Sequence, residues 1–222
     1  MGLIARLLAR RVLVAPGMVF SKLTRSNGQS WILKDICRLR AELAGIGPGV
    51  AVDPDDRDAL HFTAHGADAQ LAGAARLVRA NAENNFPFER VCTVAQLTRP
   101  PSSEAAELSH LLAAPLAGEP RATLLGLVRD MLHYSRASGV RYWYTTLDGA
   151  QLRLLETAGL RFVAIGTPLG RAGVFTPQMT DLHACAARLR EQDPLLAAWL
   201  HEEPIEIRTL FKALLAEPRH GH

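Results

Sequence analysis

Leu60-His61-Phe62-Thr63-Ala64-His65, the turn Gly66-Ala67-Asp68, and Leu71-Ala72-Gly73-Ala74-Ala75-Arg76-Leu77-Val78 decide the fold class of this 222-residue chain. Two short, largely apolar runs around a glycine-bearing turn predict a β-hairpin. Downstream, a Pro-rich interval at 99–101 precedes a third strand, Ala106 to Ala113. Leu124, Leu125, Val128, Leu132 and Ser135 then mark one face of a helix over about 121–138, closed by Gly139. Val140 to Thr146 reads as a strand, Ala150 to Ala158 as a helix ended by Gly159, Leu160 to Ile165 as a strand, and Leu182 onward as helical segments. Upstream, Ile32, Ile36, Leu39 and Leu43 predict a helix from Trp31 to Leu43. Hairpins first and a strand–helix–strand crossover later define an α/β class: a mixed, mostly antiparallel central sheet flanked by helices.

The net charge of +3 is unevenly spread. Arg6, Arg10, Arg11, Lys22, Arg25 and Lys34 fall in the first 34 residues with no acid, so the rest of the chain is net acidic. That asymmetry, with only 6% aromatic residues, argues against nucleic acid. A hydrophobic share of 48% excludes a disordered chain. Cys37, Cys92 and Cys185 have no CxxC or Cys/His ligand spacing, which predicts neither a disulfide framework nor a metal site and makes the cytoplasm the default compartment. No run reaches the ~18 apolar residues of a membrane span. Leu3, Ile4, Leu7, Leu8 and Val12 nevertheless recur at helical spacing among arginines. Residues 1–30 are therefore expected to be a basic amphipathic extension to a 31–222 domain, either packed on it or, through 1–25, lying on the inner membrane surface.

Five features carry the chemistry: Leu39-Arg40-Ala41, Asp53-x-Asp55-x-x-Asp58 followed by Ala59-Leu60, Gly73-x-x-Arg76, Glu107-Leu108-Ser109-His110, and Tyr144-Thr145-Thr146. In this order and spacing they resemble the autoinducer-synthase branch of the GNAT acyltransferases, which holds acyl-homoserine-lactone synthases and long-chain N-acyl amino acid synthases. Gly139-Val140, Trp143, Arg153-Leu154-Leu155, Ala158-Gly159-Leu160 and Ile165-Gly166 extend the likeness to the amino acid synthase group, over about residues 32–182. The chain departs from the pattern at His110, where the branch carries Arg, at Ala44, where it carries an aromatic, and near 45–50, where lactone synthases carry Trp. These departures weigh more against a lactone synthase than against an amino acid synthase.

The resemblance implies transfer of a fatty acyl chain from acyl carrier protein to the amine of an amino acid, with no cofactor or metal. Glu107 is the expected general base and His110 its rival. Simple alternation puts Glu107 and Ser109 on one strand face and His110 on the other, unless a bulge intervenes. Arg40, Arg76, Asp53, Asp55 and Asp58 are expected to bind the zwitterionic acceptor, and Thr145 and Thr146 to line the acyl channel. Backbone N–H groups between Leu108 and Leu112 are the oxyanion candidates. Residues 118–123 lack the glycine pattern of a coenzyme-A pyrophosphate loop, so the donor expected is the acidic carrier protein, met by Arg121 and Arg129. The alternatives are a lactone-type signal synthase, a coenzyme-A-dependent N-acetyltransferase and a non-catalytic GNAT-fold binding module.

Overall fold

The computed structural model describes residues 19–23, 30–47, 53–57, 59–66, 68–80, 85–94, 99–114, 120–168 and 176–201. A seven-stranded sheet forms the frame. Its strands are β1 (Val19–Leu23), β2 (Leu60–His65), β3 (Leu71–Arg79), β5 (Ala105–Ala113), β6 (Tyr142–Thr145), β9 (Gln178–Asp181) and β7 (Val163–Ala164), in that spatial order. Every pairing is antiparallel except β5 with β6. A separate ribbon joins β4 (Cys92–Val94) to β8 (Gly166–Pro168). The helices are α1 (Ser30–Ala44), α2 (Pro120–Ala137), α3 (Gly149–Thr157), α4 (Leu182–Gln192) and α5 (Pro194–His201).

The parallel pair requires a crossover, and α2 supplies it. Its buried face carries Ala122, Leu125, Val128, Met131, Leu132 and Ser135, against β2, β3 and β5. Gly73 makes that approach close. A Cβ there would lie 2.6 Å from Thr123 Cγ2 and 2.8 Å from the Leu112 carbonyl oxygen. Gly139, at φ +72°, ends the helix turn as its position in the sequence predicts. Trp143, fully buried on β6, donates from Nε1 to Ser135 Oγ at 2.9 Å and ties the crossover to its strand.

The expected hairpin, third strand, crossover helix, β6 and α3 all form. Two readings need correction. The run Leu160 to Ile165 pairs only at Val163–Ala164, because Leu160 and Ile165 turn inward to the core while the exposed Val163 closes the sheet edge. Val19–Leu23, counted with the N-terminal extension, pair with β2 from Val19↔His65 to Leu23↔His61 and are part of the sheet. The basic helical segment at residues 3–12 lies outside the described residues. No described helix is long and apolar enough to cross a membrane.

Candidate active site

Three segments converge on the β3–β5 ladder. The turn Pro54–Arg57 brings acids from before the hairpin, α1 brings Arg40, and β3 and β5 bring Arg76, Glu107, Ser109 and His110. Asp56 is the hub. It receives Arg40 Nη1 and Nη2 at 2.5 and 2.9 Å and Arg76 Nη1 at 3.0 Å, and all three side chains are buried. Burial pushes the Asp56 carboxyl up, but the two guanidinium groups outweigh it and hold it below the usual carboxylate range. Arg76 Nη1 also meets Asp53 Oδ2 at 3.0 Å, and its Nε donates to Ser109 Oγ at 2.9 Å. Burial likewise pushes Asp53 up. The Asp55 N–H, Arg76 and His110 together reverse this and keep it ionised far below the ordinary range.

A β-bulge on β5 changes the faces that alternation predicts. Ala74 pairs with Leu112 and Arg76 with Ser109, so two β5 residues, His110 and Leu111, oppose Ala75 alone. His110 takes φ +50°, in the left-handed region a β-carbon disfavours. Its side chain therefore joins Glu107 and Ser109 on one cavity, and its Nε2 approaches Asp53 Oδ2 at 3.4 Å. With Asp53 ionised, Nε2 donates, which leaves Nδ1 with the lone pair. Burial, helped by the positive charges of Arg40 and Arg76, lowers His110 to about 4 despite Asp53, so the ring is neutral at pH 7.

Glu107 is buried, and its Oε2 accepts the Phe88 N–H at 2.8 Å. Burial raises its carboxyl to about 7, against the opposing pull of that N–H and of Arg76. Phe88 belongs to the turn Pro87–Arg90, packed through Phe86 and Phe88 on Tyr144. The same turn sends Arg90 to an ion pair with Asp55.

These groups line a cavity of about 410 Å³ where β5 outruns β6. The strands pair only from Ala105↔Tyr142 to Leu108↔Thr145, and beyond Leu108 they separate. Of the residues singled out from the sequence, Asp53, Asp55, Arg76, Glu107, Ser109, His110 and Thr146 line the cavity. Arg40 stands behind it, on Asp56. Thr145 is buried below it, where Oγ1 donates to the Leu108 carbonyl at 2.9 Å and accepts the Leu147 N–H at 3.2 Å. Asp58 lies outside the described residues. Arg121 is exposed at the start of α2. Arg129 is turned onto α5: its Nε donates to the Trp199 carbonyl at 2.6 Å and its guanidinium lies over the Trp199 ring. Among the described residues, no group of three His, Cys, Asp or Glu side chains is arranged to hold a metal ion.

Sequence reasoning missed Asp56 and Gln151. Asp56 stands in the run Asp53-Pro54-Asp55-Asp56, where nothing distinguishes the acid that turns inward. The signal for Gln151 was local: three residues after Asp148, it completes a capping box on α3, and the same side chain lines the cavity.

The chain matches no protein-family model and no curated protein. Its fold, by contrast, has many counterparts among solved structures. TofI, solved in a ternary complex with an inhibitor and MTA, is 16% identical over 81% of this chain and 98% of its own, with a TM-score of 0.58. BjaI, a CoA-dependent acyl-homoserine lactone synthase solved with SAM and isopentyl-CoA, is 14% identical over 79% of this chain and 89% of its own, at 0.59. FeeM, an N-acyl amino acid synthase from uncultured soil microbes, is 17% identical over 83% and 99%, at 0.52. The chain has a GNAT-like fold, the one that solved acyl-homoserine-lactone synthases and an N-acyl amino acid synthase share.

Proposed function

We propose that the protein is an N-acyltransferase that moves a fatty acyl chain from acyl carrier protein to the amine of an amino acid. One observation carries this reading: the bulge brings a carboxyl poised near neutrality, Glu107, and a neutral imidazole, His110, to one cavity at a strand splay. Such an acceptor arrives as an ammonium ion, loses one proton before attack and another afterwards. Two proton acceptors beside one carbonyl serve that sequence. The amine nitrogen attacks the thioester carbon, a C–N bond forms, and the C–S bond breaks to release the thiolate of the carrier's pantetheine arm. One of the two protons goes to the thiolate and the other to solvent through Glu107 or His110. Backbone N–H groups between Leu108 and Leu112 are the donors for the oxyanion. Asp53 and Asp55 offer carboxylates to the ammonium, and Arg76 offers a cation to the carboxylate.

Arg121, exposed at the start of α2, is the arginine proposed to meet the acidic carrier, since Arg129 is engaged with Trp199. Residues upstream of β1 are the segment proposed to touch an anionic membrane, where an amphipathic product would partition. A second reading, lactone-type synthesis from S-adenosylmethionine, is favoured by the likeness to TofI and to BjaI, the latter solved with SAM. Incubation with acyl-loaded carrier protein and either an amino-acid pool or S-adenosylmethionine, read by mass spectrometry, tests both. An N-acyl amino acid supports the proposal, a lactone selects the second reading, and no product in either arm overturns both.

A further inference from the structure

One side chain that lines the cavity does two jobs. Gln151 stands in the first turn of α3, facing β5 across the splay. Its Oε1 accepts the Asp148 N–H at 3.4 Å, completing the helix cap. Its Nε2 donates to the carbonyl of Leu111, the second residue of the bulge, at 2.6 Å. The amide is thus held from both ends and spans the gap between helix and strand. One turn further along the same helix face is Leu155, fully buried among Leu111, Leu160 and the rest of the core. On the β6 side, Thr145 ties Leu108 to Leu147, and Leu147 lines the cavity.

We infer that Gln151 is the residue that sets acyl-chain length, acting as a crossbar that confines the chain to the cavity and makes the donor a medium-chain acyl group. This rests on reading the cavity as the acyl site. A space of roughly 150 Å³ holds one benzene ring, so about 410 Å³ takes about 16 heavy atoms. The acceptor's ammonium, Cα and carboxylate with the thioester take about half of these, leaving an acyl chain of about eight carbons. A longer chain must enter between β5 and α3, where the bulk of the Gln151 side chain, reaching to Leu111, stands in the way.

The test is binding of S-alkyl pantetheine thioethers, C4 to C14, to the full-length protein by calorimetry. It needs no turnover. The expected dissociation constant falls about fourfold per methylene and then levels off near C8. Gln151→Ala removes about four heavy atoms and moves the break outward by about two to three carbons. Gln151→Met keeps the bulk without the hydrogen bond and leaves the break near the wild-type position, which separates occlusion from general loosening of α3. Affinity that rises through C14 in the wild type, or a break that Gln151→Ala does not move, overturns the inference while leaving acyl transfer standing. So does a break that both variants move equally. No binding at any length defeats the acyl-site reading and this inference with it.

Discussion

Asp56 holds the Arg40 guanidinium through two near-parallel hydrogen bonds, 2.5 and 2.9 Å long, with both side chains buried. The same carboxylate takes Arg76, so one buried acid bridges two buried cations from different elements. Arg76 in turn holds Asp53 and Ser109. The polar wall of the cavity therefore depends on a residue that does not face it.

Asp56→Asn leaves Arg40 and Arg76 without that charge. It should cost about 3–5 kcal/mol, seen as a lower urea midpoint. Arg40→Met should cost less, since Asp56 keeps Arg76.

Glu107→Gln should reduce turnover about 10²–10⁴-fold with the fold intact, because the amide oxygen can still accept the Phe88 N–H. An undiminished single-turnover rate would move the base to His110 or to water.

Linked titrations give the two groups opposite signs. Glu107 is raised from 4.5 to about 7, so between those values the native state binds more protons than the unfolded chain. Its contribution to stability falls as pH rises through that window. His110 is lowered from 6.5 to about 4, so the native state binds fewer protons there. Its contribution is present above pH 6.5 and is lost as pH falls toward 4. Relative to wild type, Glu107→Gln should gain stability from pH 4.5 to 7, whereas His110→Asn should lose it from pH 4 to 6.5. Denaturant midpoints across pH 4–8 check both, and kcat/KM should rise with pH through about 7 as Glu107 ionises.

At φ +50°, His110 carries backbone strain that glycine would not. His110→Gly should leave stability unchanged or raise it by up to about 1 kcal/mol, while turnover drops. Loss of both would mean that the imidazole serves the fold more than the reaction.

Arg129→Ala removes a hydrogen bond to the Trp199 carbonyl and a cation–π contact. It should destabilise by about 1–2 kcal/mol without raising the KM for the carrier protein. Arg121→Ala should do the reverse, with unchanged melting and a higher KM.

The order of elements was legible because each announces itself locally. Leu60–His65 and Leu71–Arg79 flank a glycine turn, the buried face of α2 has helical spacing, and Gly159 follows the end of α3. Arg76, Glu107 and Ser109 were legible as a set through the resemblance of Gly73-x-x-Arg76 and Glu107-Leu108-Ser109-His110, in that order and spacing, to the autoinducer-synthase pattern. Their geometry was not. Alternation has period two, and one extra residue in β5 puts His110 on the face from which alternation excludes it. Nothing in Glu107-Leu108-Ser109-His110 announces that bulge, which depends on register with β3.

Sequence alone determined the α/β class and the crossover, through periodicity and helix-ending glycines within a few residues, and, through the order and spacing of its motifs, the residue types that meet at the cavity. Only the tertiary structure decided which acid in the run from Asp53 turns inward, that Val19–Leu23 belong to the sheet, that Arg129 faces α5, and that Gln151 reaches from α3 to β5. Each of these depends on a partner at least 38 residues away in the chain except Asp56 with Arg40, 16 apart, and all are set by packing between elements.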